Sequence, residues 1–157
     1  MVTLIEWTAI ASALAGVSAT VFVLLQLRHM DRHRDLEISM KLFEWAETEY
    51  LRKAFGWVEN EFQFENYEKY KAQLEENPEV RDYPYEVEAF FEEVGFLVNK
   101  KFVDIDVIVD RLGAYIGSNW KKLEPWILAL RNERGDKTFG EHFQKLYEKT
   151  VAYMQGS

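Results

Sequence analysis

Cysteine is absent from the chain. That excludes a disulfide framework, a thiolate zinc site and a cysteine nucleophile. Proline is almost absent: Pro78, Pro84 and Pro125 are the only three, so no proline forces a helix to end in the first fifty-five residues. The eight glycines are scattered and form no glycine-rich phosphate loop. Positive charge is in deficit, with 19 Lys and Arg against 27 Asp and Glu. An acidic body argues against nucleic-acid binding, which needs a basic surface to meet phosphates. Ser12, Ser18, Ser39, Ser118 and Ser157 lack a G-x-S-x-G context. The three histidines, His29, His33 and His142, never follow a Glu by three positions, so the ferritin-like di-metal pattern is missing.

Charge is also missing from one long run, Trp7–Leu27. As a helix it would be about 31 Å long at about 1.5 Å per residue, close to the roughly 30 Å of a hydrocarbon core. Trp7 sits where an interfacial aromatic belongs. Glu6 precedes the run and Arg28, Arg32 and Arg34 follow it, the reverse of a cleavable signal peptide. By the positive-inside rule the N-terminus faces out and the rest lies in the cytoplasm, at an inner or plasma membrane. The expected organisation is a single-pass anchor with a basic flank over 1–34 and a cytoplasmic helical domain over 35–157. No glycine lies between Gly16 and Gly56, so a single helix is expected from Thr3 to Phe55, joining the anchor to the first helix of the domain.

Within the run, Ser12, Gly16 and Thr20 recur every four residues. Small residues at that spacing let two membrane helices approach closely, and they mark a candidate face for self-association or a protein partner. Arg28, Arg32 and Arg34 are candidate contacts to lipid headgroups. His29 and His33 share a helix face but lack further metal ligands, so the same headgroup role covers them. No metal or cofactor is expected.

Beyond the flank, Leu36, Ser39 or Met40, Phe43, Ala46, Tyr50, Ala54 and Trp57 follow three- and four-residue steps, one apolar stripe of a helix that Gly56 would end. Glu59–Asn66 reads as a loop laying Phe62 and Phe64 on the core. Asn66 caps a helix lined by Tyr67, Tyr70 and Leu74, which Asn77-Pro78 ends. Asp82-Tyr83-Pro84 opens a helix through Asn99, with a stripe from Val87 to Val98. Asp104 caps the next, Gly117-Ser118-Asn119 breaks it, and Pro125 starts or kinks another that Gly135 stops. Thr138 and Glu141 have capping-box spacing before a final helix. The fold class is therefore all-α, a bundle of about five or six helices beyond the anchor.

Two polar features inside the bundle stand out. Glu92 and Glu93 adjoin apolar Phe91 and Val94, where burial would raise a carboxyl pKa. Arg131 is the candidate partner for either, an ion pair that would pin two helices.

From Tyr83 to about Val151 the sequence resembles the family known as domain of unknown function 4760. The Tyr85–Leu97 helix with its Phe91-Glu92 pair, the Phe102-x-Asp104-x-Asp106 link, and Trp120-x-x-Leu123-x-Pro125 followed by Arg131 carry the resemblance. It implies a short protein with one N-terminal membrane helix and a cytoplasmic helical body. It implies no activity and supplies no catalytic residues. The functional expectation is a non-enzymatic accessory subunit, scaffold or interaction module of a membrane assembly. The alternatives are a small-molecule or lipid sensor with a pocket among Trp45, Phe90, Trp120 and Trp126, and an enzyme or metal-binding protein built from scattered carboxylates and His142.

Overall fold

The computed structural model describes the backbone of residues 4–156 and the side chains of residues 16–26, 30 and 34–156. Six α-helices account for most of it: α1 Leu4–Ala46, α2 Glu49–Asn60, α3 Tyr67–Glu76, α4 Tyr83–Asn99, α5 Ile105–Arg134 and α6 Glu141–Gly156. A 3-10 turn over Pro78–Val80 links α3 to α4. No strand occurs among the described residues. The chain divides into two compact units, Met1–Glu37 and Ile38–Ser157.

In the first unit, the described residues 16–26 lie on α1 and all are exposed. Among the described residues no helix is long and apolar enough to cross a membrane. The N-terminal part of the uncharged run, including Trp7 and Ser12, has side chains outside the described residues.

The second unit starts with the end of α1. The expected helix to Phe55 is interrupted: α1 stops at Ala46, and Thr48 takes an extended ψ of 143°. The Thr48 hydroxyl donates to the Trp45 carbonyl at 2.8 Å. A side chain that competes for backbone groups supplies the break without Gly or Pro. The expected stripe holds at Ser39, Ala54 and Trp57, which are buried, and departs elsewhere: Leu42 is buried, while Leu36, Met40 and Tyr50 are each about half exposed. Gly56 lies inside α2 rather than at its end.

Local signals fix the next elements. The Asn66 side chain accepts from Lys69 N at 2.9 Å and caps α3, whose Tyr70 is buried. Phe62 sits in the core from an irregular segment. Gly135 ends α5 in the left-handed region at φ 66°. However, α5 runs unbroken past both expected interruptions. Ser118 and Asn119 donate to the Tyr115 carbonyl at 3.3 and 2.9 Å, so their polar groups bond back onto the helix. Pro125 is exposed, as is Lys121, whose carbonyl loses its helical partner to the proline.

The core is aromatic and continuous from α2 to α6. Phe91 of α4 stacks on Phe143 of α6 at 4.7 Å, and Trp120 of α5 meets the same ring edge-on at 5.0 Å. All three are almost fully buried. Each such side chain is worth roughly 1.5–3 kcal/mol of burial.

The α4–α6 contact depends on two further residues. A Cβ on Gly95 would lie 2.2 Å from the His142 carbonyl oxygen, so the two backbones meet where only glycine fits. The Glu92 carboxylate accepts from His142 N at 3.1 Å and Phe143 N at 2.8 Å. It thus satisfies the first turn of α6 from another helix, with its charge at the positive end of the dipole. The expected Thr138–Glu141 capping box does not form. Thr138 turns to Asp136 through both its N–H and its hydroxyl instead.

Two substitutions test this joint by urea unfolding. Gly95→Ala should lower stability by about 2–3 kcal/mol, because backbone atoms must move apart. Glu92→Ala should cost about 2–3 kcal/mol through two lost charge-assisted bonds; a loss of a few tenths would remove the cap from the explanation of the fold.

Candidate functional site

Two places in the second unit collect polar groups. The first is the interior of the α4–α6 joint. Glu88, one turn before Glu92 on α4, is buried at 5% exposure. Its position follows from the α4 stripe: Pro84, Val87, Glu88, Phe91, Val94, Gly95 and Val98 occupy one face. Burial, and then the charge of Glu92, push the Glu88 carboxyl up to about 7, against the pull of Arg131, the Gly140 N–H and Arg134. Arg131, from α5, donates through Nε to the Phe139 carbonyl at 2.7 Å and through Nη1 to Gln144 Oε1 at 2.9 Å. Its Nη2 is buried without a hydrogen-bond partner. His142 Nδ1 lies 3.1 Å from Asn99 Nδ2, and its ring meets Phe96 edge-on at 5.4 Å.

This arrangement differs from the expected Arg131 ion pair. No pair of Arg131 with Glu92 or Glu93 occurs among the ion pairs of the described residues. Glu92 is engaged by the α6 backbone, Glu93 is exposed, and Arg131 holds the turn that leads into α6. The buried carboxyl with the raised pKa is Glu88, one turn earlier than the Glu92–Glu93 pair. Glu88 was missed in the sequence; a charged residue at a stripe position is the signal that could have found it.

The second place is a cleft of about 570 Å³. Phe43 and Ala46 from the end of α1, with Glu47 just after it, form one wall. Arg52, Phe55, Gly56 and Glu59 of α2 and Arg111, Leu112 and Tyr115 of α5 complete it. Each helix brings its residues at one-turn spacing, which is why no short motif in the sequence marks the site. The Arg111 guanidinium lies 4.8 Å over the Phe43 ring and donates to Glu47 Oε1 at 3.1 Å. Both partners of that ion pair are more than half exposed, at 59% and 70%, so it is worth about 0–1 kcal/mol and is easily exchanged. Phe55 forms the floor. Behind it stand Phe90 at 5.6 Å and Phe91 at 5.6 Å, and Tyr115 flanks it at 6.3 Å.

The other expected residues fall as follows. Thr20 donates to the Gly16 carbonyl at 2.9 Å, and a Cβ on Gly16 would meet nothing within 4 Å. Ser12, Arg28 and Arg32, and with them His29 and His33, have side chains outside the described residues. Arg34 is exposed and lies 3.4 Å from Asp35. The aromatic residues proposed to line a sensor pocket are packed on neighbours: Trp45 on Phe90 at 5.1 Å, Trp126 on Tyr85 at 4.8 Å, and Trp120 on Phe143. Among the described residues no three His, Asp or Glu gather closely enough to hold a metal.

Fold and site together define an all-α helical protein with a long N-terminal helix. The chain belongs to the family described as a domain of unknown function (DUF4760), whose model matches residues 10–150. The match therefore extends well beyond the Tyr83–Val151 stretch that carried the resemblance. Comparison with curated proteins and with solved structures returns no match.

The buried Glu88 carboxyl gives a pH prediction. Below about pH 4.5 it is protonated in both states and contributes nothing. Between about 4.5 and 7 the folded state keeps the proton that the unfolded state releases, so stability falls as pH rises and levels off above 7. The contribution is on the order of 3 kcal/mol over that window. Glu88→Gln should flatten it and unfold at higher urea than the natural chain at pH 8; the same slope in both chains would show that Glu88 is not its source.

Proposed function

We propose that this protein is a non-enzymatic, membrane-tethered interaction module, an accessory subunit or scaffold whose helical body is held at the cytoplasmic face. The observation that carries the tether is the surface of α1 over 16–26. Val17, Val21, Phe22, Val23, Leu24 and Leu25 are each at least half exposed. A helix apolar on every side has no water-facing stripe and needs an apolar surround. The uncharged run Trp7–Leu27 has the length of a bilayer core, and lipid is the surround that suits such a length. Arg28, Arg32 and Arg34 then set the orientation with the N-terminus outside. The small-residue face Ser12, Gly16 and Thr20 is where self-association or a membrane partner would make contact.

The non-enzymatic part rests on what the cleft presents. Its lining has no histidine, serine or threonine. The buried Glu88 does not line it.

Membrane fractions washed with alkaline carbonate test the tether. The natural chain should stay in the pellet. Val17→Arg with Val21→Arg should move it to the supernatant, because each Arg near the middle of a span costs about 3 kcal/mol on insertion. A natural chain recovered in the supernatant would overturn the tether. Digestion of the helical body by protease added to intact cells would overturn the orientation.

A further inference from the structure

We propose that the cleft between the end of α1, α2 and α5 binds a planar aromatic monocarboxylate. Its volume of about 570 Å³ lies in the range of small-molecule sites, roughly 300–1,000 Å³. The polar and apolar parts of the lining are arranged for one kind of molecule. Phe55 and Tyr115, tilted 40° to each other at 6.3 Å, give aromatic surface for a flat ring. The Phe55 part of that surface packs against the buried Phe90 and Phe91. A rigid floor binds without first having to be ordered.

The charged part selects a carboxylate. Arg52 enters no ion pair among those of the described residues. Arg111 lies over the Phe43 ring and uses one of its five N–H donors on Glu47. The remaining donors of two guanidinium groups on one cleft match the fork of a carboxylate. The exposed Glu47 is an intramolecular stand-in for the ligand: its carboxylate occupies Arg111 weakly and yields to a better-placed one. Glu47 and Glu59 also line the cleft. Both repel a second negative charge, which restricts the ligand to one carboxylate and disfavours phosphates and dicarboxylates.

Calorimetric titration of the full chain, kept monodisperse in detergent, with 2-naphthoate tests the assignment. Binding should be one to one, with a dissociation constant on the order of 100 μM for a ligand of this size. Arg52→Gln and Arg111→Gln should each weaken it about tenfold. Glu47→Gln should tighten it about threefold by removing the competing carboxylate. That gain cannot come from misfolding, and the melting curves of the two arginine variants control for their losses. Three results would overturn the proposal: no heat with the natural chain at millimolar ligand, arginine variants that fold and bind unchanged, or a Glu47→Gln chain no tighter than the natural one. Equal binding of 2-naphthylmethanol would overturn the carboxylate requirement, and equal binding of octanoate would overturn the aromatic one.

Discussion

The helical body depends on one carboxylate that caps a helix from outside it. Glu92 lies in the middle of α4 and accepts from the first free N–H groups of α6. A helix start has orphan donors that must find partners, and a cap next to it in sequence usually supplies them. Here the cap is fifty positions away, so the secondary structure of α6 and the packing of two helices become one event. Gly95 sets how close they come, and Phe91 and Phe143 fill the space beside it. Glu88 and Arg131 line the same seam. Burial there, and then the charge of Glu92, push the Glu88 carboxyl up to about 7.

Local chemistry was legible in the residues, and tertiary competition was not. Asn66 capping α3, Asn77-Pro78 closing it, Pro84 in the first turn of α4 and Gly135 after α5 all act within a few positions of themselves. The same kind of local signal fails where a distant group offers more. Thr138 and Glu141 have capping-box spacing, yet Thr138 turns back to Asp136 and Glu92 supplies the cap to the first turn of α6 instead. Gly117-Ser118-Asn119 and Pro125 read as interruptions, yet burial of Ile116, Trp120, Leu123 and Trp126 along one face holds α5 together through them. Thr48 breaks a helix that has no Gly or Pro, through a hydroxyl whose choice between water and backbone no spacing encodes.

The cleft was hidden for a related reason. Its residues come from three helices, with Glu47 and Arg111 separated by sixty-four positions. Neither Arg52 nor Arg111 stands in a motif, and each reads alone as a solvated helix charge. Glu88 was closer to legible, since it occupies a stripe position that otherwise holds only apolar residues, glycine and proline. Glu92 and Glu93 have apolar neighbours in sequence, but neighbours along a helix point in different directions, so adjacency does not mark burial.

The long-range cap also carries a consequence for synthesis. Chains emerge from the ribosome at about 5–20 residues per second, N-terminal part first. Until residues 141–143 are out, Glu92 has no α6 to meet, and the faces of Phe91 and Trp120 that Phe143 covers lie open. The body therefore stays unfinished for seconds after α4 has been made. During that interval its apolar faces are available to chaperones or to neighbouring copies, and only the arrival of α6 closes them.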